Sequence, residues 1–592
     1  MVTCSTTRHI LGQLLCGVFA FGLVGLGCSG EPAQQVDIQL FASPPPGIDP
    51  YAGVGKLVIR VKAEGQADIE AAENFALDGV RQVSLPPIPF LDDGTPQQIV
   101  IEGWSVSETG EFTANSKLVS IGRTPEFKLT PDDEPVTFYV QMARINSFVP
   151  LTDALDGNIQ NLTMGRVGHS VTTASGGETL IAGGATPLTD AAPWWGPGGV
   201  ASYISAVEML DGESQNLSPL MTVEGAPSGL LVPRMWHTGT ALPTGDVFFA
   251  GGWGQADITG ECPVGPGSPT YASCTVEWYQ ANGAIGLLQT PLAKARAGHT
   301  ATLIDPETTT ILFVGGDLDG VGTYELWDPT NGSQGAVPLP DSTTRRFHAA
   351  VLSQVLDTSQ PRVLADVVTI FGGESDTAPL ASGLFYVVAG NQMLPNYTQT
   401  LPGGARTHLT GTYIPERERV YFVGGFADLD HTLASTAIDA YDTAAANPFA
   451  PFIEESQAVI PAVATQPCQQ APLQLQQARG GHTTSLIQDT MLVVLGGSDG
   501  TSAVSDIEIV HDFATDRCTE SLGGNQVTQV VGSVCTDPAG CAGVTLDPMP
   551  FASNGHRALV LDSGNVLMVG GVSTSAADSA NPVQSLYLFV PQ

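Results

Sequence analysis

Basic residues are scarce in this sequence of 592 residues, which has 22 Lys and Arg against 59 Asp and Glu. The formal net charge is -37, so the chain would repel phosphates, and we exclude nucleic acid and charge-driven binding to anionic lipids. Charged residues are only 14% of the total, while 42% are apolar. That apolar content excludes a disordered chain, and the 68 Gly and 43 Pro indicate a turn-rich, all-β globular protein.

Long apolar runs are missing after the N-terminus, where one run follows Arg8 and extends from Ile10 to Gly27. A basic residue, an apolar run and small residues indicate an export signal. Residues 24–28 resemble the bacterial lipobox, with Gly25 where Leu is usual. The resemblance implies a lipoprotein signal peptide at 1–27, lipidation of Cys28 and a tether at 28–36. Plain secretion and an uncleaved N-terminal anchor remain alternatives.

Cysteine is also sparse, and its distribution fits export. Of nine Cys, Cys4 and Cys16 leave with the signal and Cys28 is the lipidation site. The remaining six are Cys262, Cys274, Cys468, Cys518, Cys535 and Cys541. An even number in an exported protein predicts three disulfides among 15 possible pairings. Proximity favours 262–274 and 535–541, which leaves 468–518.

Seven of the ten His share one repeating context, and we number these copies repeats 1 to 7. The seven are His169, His237, His299, His348, His408, His482 and His556. Each is followed by an apolar run that ends in a glycine pair, at 183–184, 251–252, 315–316, 372–373, 424–425, 496–497 and 570–571. A third apolar run follows in every copy, and a weaker fourth run often precedes the next His. Four strands per copy predict propeller blades.

These copies resemble the kelch repeat of the kelch and galactose oxidase superfamily. The shared features are an Arg before the His, the glycine pair, and an aromatic or acidic third strand. Five Arg lie three residues before the His, at Arg166, Arg234, Arg296, Arg345 and Arg479, while Arg406 lies two before and the last copy has Ser553. The resemblance implies an all-β, seven-bladed kelch-like β-propeller over residues 150–592.

Two further segments complete the predicted architecture. Residues 159–164 look like a fourth strand without a blade, so we expect them to complete repeat 7 and close the ring. Residues 37–145 contain strand-like runs separated by turns, which predicts a small β-sandwich of immunoglobulin-like or transthyretin-like type.

The repeated His and Arg are the first candidates for chemistry. Each His opens an equivalent strand in a different blade, so we expect the seven to fix blade turns rather than to bind metal. The six Arg would ring one mouth of the central channel and attract a carboxylate or an acidic sugar. The alternative is pairing with third-strand acids, at Glu208, Glu277, Glu325, Asp439 and Glu508.

The long loops after the first two glycine pairs are the second candidate site. They carry Trp194, Trp195, Trp253 and Tyr271, and the predicted Cys262–Cys274 disulfide would brace the second loop. Exposed aromatics on a braced loop offer a rigid surface for protein or sugar, unless they merely pack the loops onto the blades.

Enzymatic signatures are weak. The resemblance to galactose oxidase would imply copper held by two Tyr and two His, but neither His431 nor His511 follows a Tyr. We therefore predict no enzyme, no catalytic residues, no metal and no cofactor, with a galactose oxidase-like or other carbohydrate-active enzyme as the alternative.

The predicted function is an exported lipoprotein of the bacterial outer membrane or cell surface, with the periplasmic face as an alternative. It would be a monomer, touch the membrane only through its lipid, and bind protein or glycan.

Overall fold

The computed structural model describes residues 36–592 with gaps, and this part of the chain is built almost wholly of β-strands. The gaps are 43–48, 64–65, 74–81, 85–90, 92, 108–110, 131–132, 134–135, 175–176, 188–199, 213, 255–270, 281–282, 358–362, 396–398, 444–455, 458–470, 523–524, 536–547 and 574–580. Across the described ranges, no helix is long and apolar enough to cross a membrane.

Two sheets form the N-terminal part of the described chain. Their strands are β1 (Asp37–Phe41), β2 (Lys56–Ala63), β3 (Ile69–Glu73), β4 (Gln82–Ser84), β5 (Gln97–Trp104), β6 (Leu118–Arg123), β7 (Thr137–Gln141) and β8 (Ala143–Arg144). The orders are β4-β1-β7 and β3-β2-β5-β6-β8. Leu40, Ile59, Ile101 and Val140 belong to one buried cluster, so the two sheets share a core. We call this part the N-terminal sheets.

Each sequence repeat begins a separate sheet whose main strands are antiparallel. After β9 (Ser147–Pro150), repeats 1 to 3 comprise β10 (Ser170–Thr173), β11 (Thr179–Ala182), β12 (Ala185–Pro187), β13 (Val200–Tyr203), β14 (Val207–Leu210), β15 (Leu217–Pro219), β16 (Arg234–Met235), β17 (Thr238–Ala241), β18 (Val247–Ala250), β19 (Trp253–Gly254), β20 (Tyr271–Ala272), β21 (Val276–Tyr279), β22 (Ile285–Leu287), β23 (Thr300–Asp305), β24 (Thr310–Val314), β25 (Thr323–Asp328), β26 (Gly332–Ser333) and β27 (Val337–Pro338). The main sheets are β10-β11-β14-β15, β17-β18-β21-β22 and β23-β24-β25-β26.

Repeats 4 to 7 also begin with an antiparallel hairpin, and repeats 4 and 6 contain longer strands. They comprise β28 (Ala349–Asp357), β29 (Val363–Phe371), β30 (Ser382–Val387), β31 (Gln392–Met393), β32 (Gln399–Thr400), β33 (Thr410–Ile414), β34 (Arg419–Val423), β35 (Ile438–Asp442), β36 (Ser456–Gln457), β37 (Ala471–Pro472), β38 (Thr483–Ile487), β39 (Met491–Leu495), β40 (Ile507–Leu522), β41 (Asn525–Cys535), β42 (Arg557–Val560), β43 (Val566–Val569), β44 (Val572–Ser573), β45 (Asn581–Pro582) and β46 (Tyr587–Val590). Single 3-10 turns occur at Val388–Gly390 and Pro415–Arg417.

The second strand of each repeat is the most buried because it lies between two other strands and between two other sheets. β11, β18 and β43 are buried at every residue, and all of their side chains except Thr179 are apolar. Continuous apolar runs of this kind are typical of strands covered on both faces. The clusters between neighbouring sheets, such as the one that joins Phe248 to Phe313 and Trp327, form the core of the repeats.

The first strands of the seven repeats contact one another in a closed cycle. β10 contacts β17, which contacts β23, and the contacts continue through β28, β33, β38 and β42 back to β10. The inner strands therefore surround a common centre.

The last sheet is completed by the N-terminal side of the chain, but through a segment different from the predicted one. β9 pairs with β46, and Val149 lies opposite Leu588, to give the order β42-β43-β46-β9. The prediction that residues 159–164 supply this strand was wrong. They make only bridges and turn contacts, such as Asn161 to Ser585, because β9 already occupies the edge of β46.

Candidate functional site

The six repeat arginines lie inside the repeats, away from solvent. All six are essentially unexposed and ion-paired: Arg166 with Glu208, Arg234 with Glu277, Arg296 with Glu325, Arg345 with Asp341, Arg406 with Asp439, and Arg479 with Glu508. In repeat 2, Arg234 also donates to the carbonyl of Gly251 at 2.8 Å. Burial lowers the pKa of Arg234, and the charge of Glu277 opposes that effect.

These contacts contradict the prediction that the six arginines ring a channel mouth for a ligand. Each guanidinium pairs with a carboxylate and donates to a carbonyl oxygen of its own repeat, and burial leaves it no surface to offer, although Nε of Arg345 and of Arg406 has no partner among the described residues. The alternative interpretation, pairing with third-strand acids, is confirmed for five repeats. Repeat 4 has no acid on its third strand, and Arg345 uses Asp341 instead, at 3.2 Å.

The repeat histidines join neighbouring sheets. The Nε2 atoms of His237, His299, His348, His482 and His556 lie 2.9–3.1 Å from the hydroxyls of Ser170, Thr238, Thr300, Thr410 and Thr483, each on the first strand of another repeat. Burial lowers the pKa of each imidazole, to about 4 for His556 and to about 3 for His348. The rings are therefore neutral near pH 7, and each links its repeat to another one through a hydrogen bond. We call the place of these histidines in the repeat the wedge position.

Repeat 5 breaks this pattern, and His408 is not the equivalent of the other six histidines. Leu409 packs near Gly372, where the other repeats place an imidazole near the first glycine of the pair. Leu409 packs with Ala349 of repeat 4, which stands where other repeats have Ser or Thr. The chain thus replaces a His–hydroxyl pair by an apolar Leu–Ala pair, and His408 moves one position earlier.

The residue just before this wedge position has left-handed backbone in all seven repeats, with φ between 53° and 69°. It is glycine in four repeats, at Gly168, Gly298, Gly481 and Gly555, and a ring in the others, at Trp236, Phe347 and His408. Backbone hydrogen bonds link these positions in order, for example from Phe347 N to Gly298 O at 2.8 Å and from His408 N to Phe347 O at 3.1 Å. These positions are therefore joined, one repeat to the next, by a series of backbone hydrogen bonds around the centre.

Left-handed backbone at a non-glycine residue is strained by about 1–3 kcal/mol, and such strain concentrates at functional sites. The Phe347 ring needs the glycine beside it, because a Cβ on Gly298 would meet that ring at 2.8 Å. Phe347 stacks on His408 with ring centroids 4.2 Å apart, and Trp236 meets Phe347 edge to face at 5.0 Å. The strained positions thus build an aromatic wall on one side of the centre.

The centre holds a cavity of about 220 Å³, which we call the channel pocket. Its lining includes the aromatic wall, the neutral imidazoles of five repeats, Gly298, Gly481 and Gly555, and Arg557. A concave site in which aromatic rings lie beside polar groups that can orient a ligand is typical of small-ligand binding.

Arg557 is the cation of the channel pocket. It stands where other repeats carry the Ser or Thr that meets a histidine, and its Nε donates to the carbonyl of His169 at 3.1 Å. Its guanidinium lies over the Trp236 ring, 5.3 Å from the centroid. Within the described part of the chain, no carboxylate lies within 4 Å of this side chain. Burial lowers the pKa of Arg557, and the group remains partly exposed in the pocket.

A second cluster adjoins the pocket through His408. The ring of His408 lies 4.7 Å from that of His431, whose Nε2 is 3.4 Å from Glu374 Oε2. Arg346 Nε donates to the other oxygen of Glu374 at 3.0 Å. Burial alone would raise the pKa of Glu374, but the hydrogen bond from His431 and the interactions with His408 and Arg346 outweigh it and lower the pKa to about 2. We call these residues the Glu–His–His cluster.

The predicted loop site falls largely outside the described residues. Trp194, Trp195, Cys262, Cys468 and Cys541 lie in gaps, and Cys28 precedes the described residues. Trp253 is buried, so it packs its loop against the repeats. Tyr271 begins β20, opposite Gly254. Cys274 is buried, Cys535 lies opposite Ile509, and Cys518 lies opposite Gln529, while the predicted disulfide pairings stay predictions.

Two departures from the repeat pattern, in repeats 5 and 7, were signals for the pocket that the sequence analysis did not use. Arg406 lies two residues before His408, not three, which marks the shift of register in repeat 5. Repeat 7 has Ser553 in place of Arg and places Arg557 directly after its His. The shared histidines line the pocket as well, but the departures from the repeat mark its cation and its aromatic wall.

No protein-family model matches the chain, and a search of the curated proteins finds no significant relative. Among solved structures, the chain is similar to one titled "Structure of YjhT", with 12% identity, 63% of this chain and 99% of that chain covered, and a TM-score of 0.38. These values are too low to carry an argument about the site.

Proposed function

We propose that the chain is a seven-bladed kelch-like β-propeller, preceded by a β-sandwich, that binds an acidic sugar or a similar carboxylate ligand in the channel pocket. Seven sheets whose first strands contact in a cycle support the propeller. The single observation that carries the ligand class is Arg557, a guanidinium in a concave pocket with no described carboxylate beside it.

The pocket chemistry suits a ligand with one anionic group and one flat or apolar face. A partly buried cation without a counter-charge gains most from a carboxylate, because charge-assisted hydrogen bonds are about twice as strong as neutral ones. Aromatic rings beside it provide a stacking surface for the apolar face of a sugar ring. A volume of about 220 Å³ fits a group the size of a monosaccharide.

The proposed setting is the bacterial envelope. The lipobox-like residues before Cys28 support export and lipid anchoring, and the even number of six cysteines after Cys28 supports an oxidising compartment. The protein would be a monomer whose partner is an anionic glycan. The alternative of a galactose oxidase-like enzyme has no specific observation in its favour.

Calorimetry with glucuronate and glucose tests the proposal on the chain from residue 36 onward. The two sugars share a ring and differ by a carboxylate, so we expect saturable binding of glucuronate and much weaker binding of glucose. Arg557→Met should weaken glucuronate binding about tenfold or more, because the charge-assisted contact is lost.

Two further variants complete the test. Lys117→Met removes the same charge from an exposed position on the N-terminal sheets and should leave affinity unchanged. Trp236→Gly restores the glycine that four other repeats carry, so it removes the ring without adding backbone strain. It should also weaken binding. Equal affinity for glucose and glucuronate, or an unaffected Arg557→Met variant, would refute the proposal.

A further inference from the structure

The Glu–His–His cluster has the donor set of a transition-metal site. Two imidazoles and one carboxylate present one donor atom each, and the three donor atoms lie within 4.8 Å of one another. We propose that Glu374, His408 and His431 bind a divalent transition-metal ion of the kind that Zn²⁺ represents. The proposal does not depend on the ligand of the channel pocket.

The distances fit such an ion. Bonds of about 2.0–2.1 Å to a tetrahedral Zn²⁺ put two donors roughly 3.3 Å apart. His431 Nε2 and Glu374 Oε2 are 3.4 Å apart, so an ion could bridge them without moving the backbone. His408 completes the set by a small ring movement, because its ring is already 4.7 Å from that of His431 and inclined to it by 78°.

The surrounding contacts hold the donors in the way that metal sites require. Thr407 Oγ1 lies 3.0 Å from His408 Nδ1, which leaves Nε2 as the donor atom. Arg346 fixes one oxygen of Glu374, so the other oxygen is directed towards His431. Outer contacts of this kind orient metal ligands and sharpen their affinity. All three side chains are withdrawn from bulk solvent, at 8% exposure or less for His431 and Glu374.

Backbone strain is concentrated at the same residues. His408 and His431 both have left-handed backbone, with φ of 53° and 55°. His408 stands at a position that is glycine in four repeats. Glu374 follows a glycine pair, where the other repeats have Ala185, Trp253, Asp317, Phe426, Ser498 and Val572. Metal-binding types occupy both of these positions at the junction of repeats 4 and 5. Packing alone would be served by apolar side chains at this junction, and it does not account for three side chains with metal-binding atoms.

The test is calorimetric titration of the metal-free chain, from residue 36 onward, with Zn²⁺. We expect one tight site per chain. His431→Ala should weaken that site at least tenfold while leaving glucuronate binding unchanged, because His431 does not line the channel pocket. Exposed carboxylates on a chain of net charge -37 bind Zn²⁺ weakly, so stoichiometry and the difference between variants are the readouts.

A matched control removes a different buried histidine. The His299→Leu, Thr238→Ala double variant copies the Leu–Ala pair of repeats 5 and 4 and should keep the tight site. Glu374→Gln, which keeps the shape of the side chain, should weaken the site as His431→Ala does, and circular dichroism checks that each variant is folded. Absence of a stoichiometric site in the unaltered chain, or equal Zn²⁺ affinity in folded Glu374→Gln, would overturn the proposal.

Discussion

At the scale of single residues, the structure separates two kinds of polar side chain that share one sequence context. The six repeat arginines are buried and ion-paired within the repeats, and five repeat histidines pair with a hydroxyl of another repeat and line the channel pocket as neutral rings. Arg557, His408 and Glu374 occupy the exceptional positions and face the centre or its border. A buried ion pair such as Arg234–Glu277 is costly to break, because removal of one partner leaves a charge uncompensated.

The buried histidines should make stability depend on pH. Burial holds the pKa of His299 well below 6.5, so the unfolded chain binds the proton more tightly than the folded one. Stability is then complete above about pH 6.5 and is lost as the pH falls below it, by about 1.4 kcal/mol per such histidine at pH 5.5. Urea unfolding at pH 7.5 and 5.5 measures the loss. In the His299→Leu, Thr238→Ala variant the loss should shrink by about 1.4 kcal/mol, and an unchanged loss would contradict this account.

The sequence offered internal partners for arginine as the alternative interpretation, because those partners repeat along the chain. It could not predict the Glu–His–His cluster, because Glu374, His408 and His431 come from three segments that meet only when repeats 4 and 5 pack. The sequence analysis also grouped His408 with the structural histidines, because Arg406 lies two residues before it. A repeat pattern predicts what the copies share, and a site built from exceptions becomes visible only when the copies are placed side by side.

At the scale of elements, the predicted strands were largely confirmed, including all seven third runs. The closing strand was assigned to the wrong segment. Residues 147–150 and 159–164 both carry apolar residues at the right distance from repeat 1, and the sequence alone does not order them. In the structure β9 closes the sheet, and this position buries Val149 in one cluster with Leu567 and Leu588.

A charge in β9 should open the last sheet. Val149→Asp would bury an unpaired carboxylate at a site with 5% exposure and should destabilise the protein by about 3 kcal/mol or more. The released edge of β46 would also favour self-association. Thermal unfolding and light scattering measure both effects. Leu155→Asp, at a site with 66% exposure, is the control and should change stability by about 0.5 kcal/mol or less. Equal behaviour of the two variants would show that β9 does not close the sheet.

At the scale of the whole molecule, the N-terminal sheets and the channel pocket lie at opposite ends of the inner strands. Arg123 of β6 donates to the carbonyl of Pro591, and its side chain lies beside Gly564, in the turn between β42 and β43. The pocket is lined by residues at the starts of the first strands, such as His556 and Arg557. Val100 and Ile121 of the N-terminal sheets share a buried cluster with Leu567 and Leu588. The N-terminal sheets are thus part of the core of repeat 7 but not of the pocket.

Removal of the N-terminal sheets should therefore separate stability from binding. A chain of residues 146–592 keeps β9 but exposes the apolar surface that Val100 and Ile121 cover in the longer chain. We expect a lower unfolding temperature and binding of a hydrophobic dye, because burial of apolar area is the main stabilising contribution there. Glucuronate affinity, measured below the unfolding temperature, should match that of residues 36–592. A folded short chain that has lost the ligand would place the N-terminal sheets in the binding mechanism, whereas equal unfolding temperatures would show that the shared cluster contributes little to the stability of repeat 7.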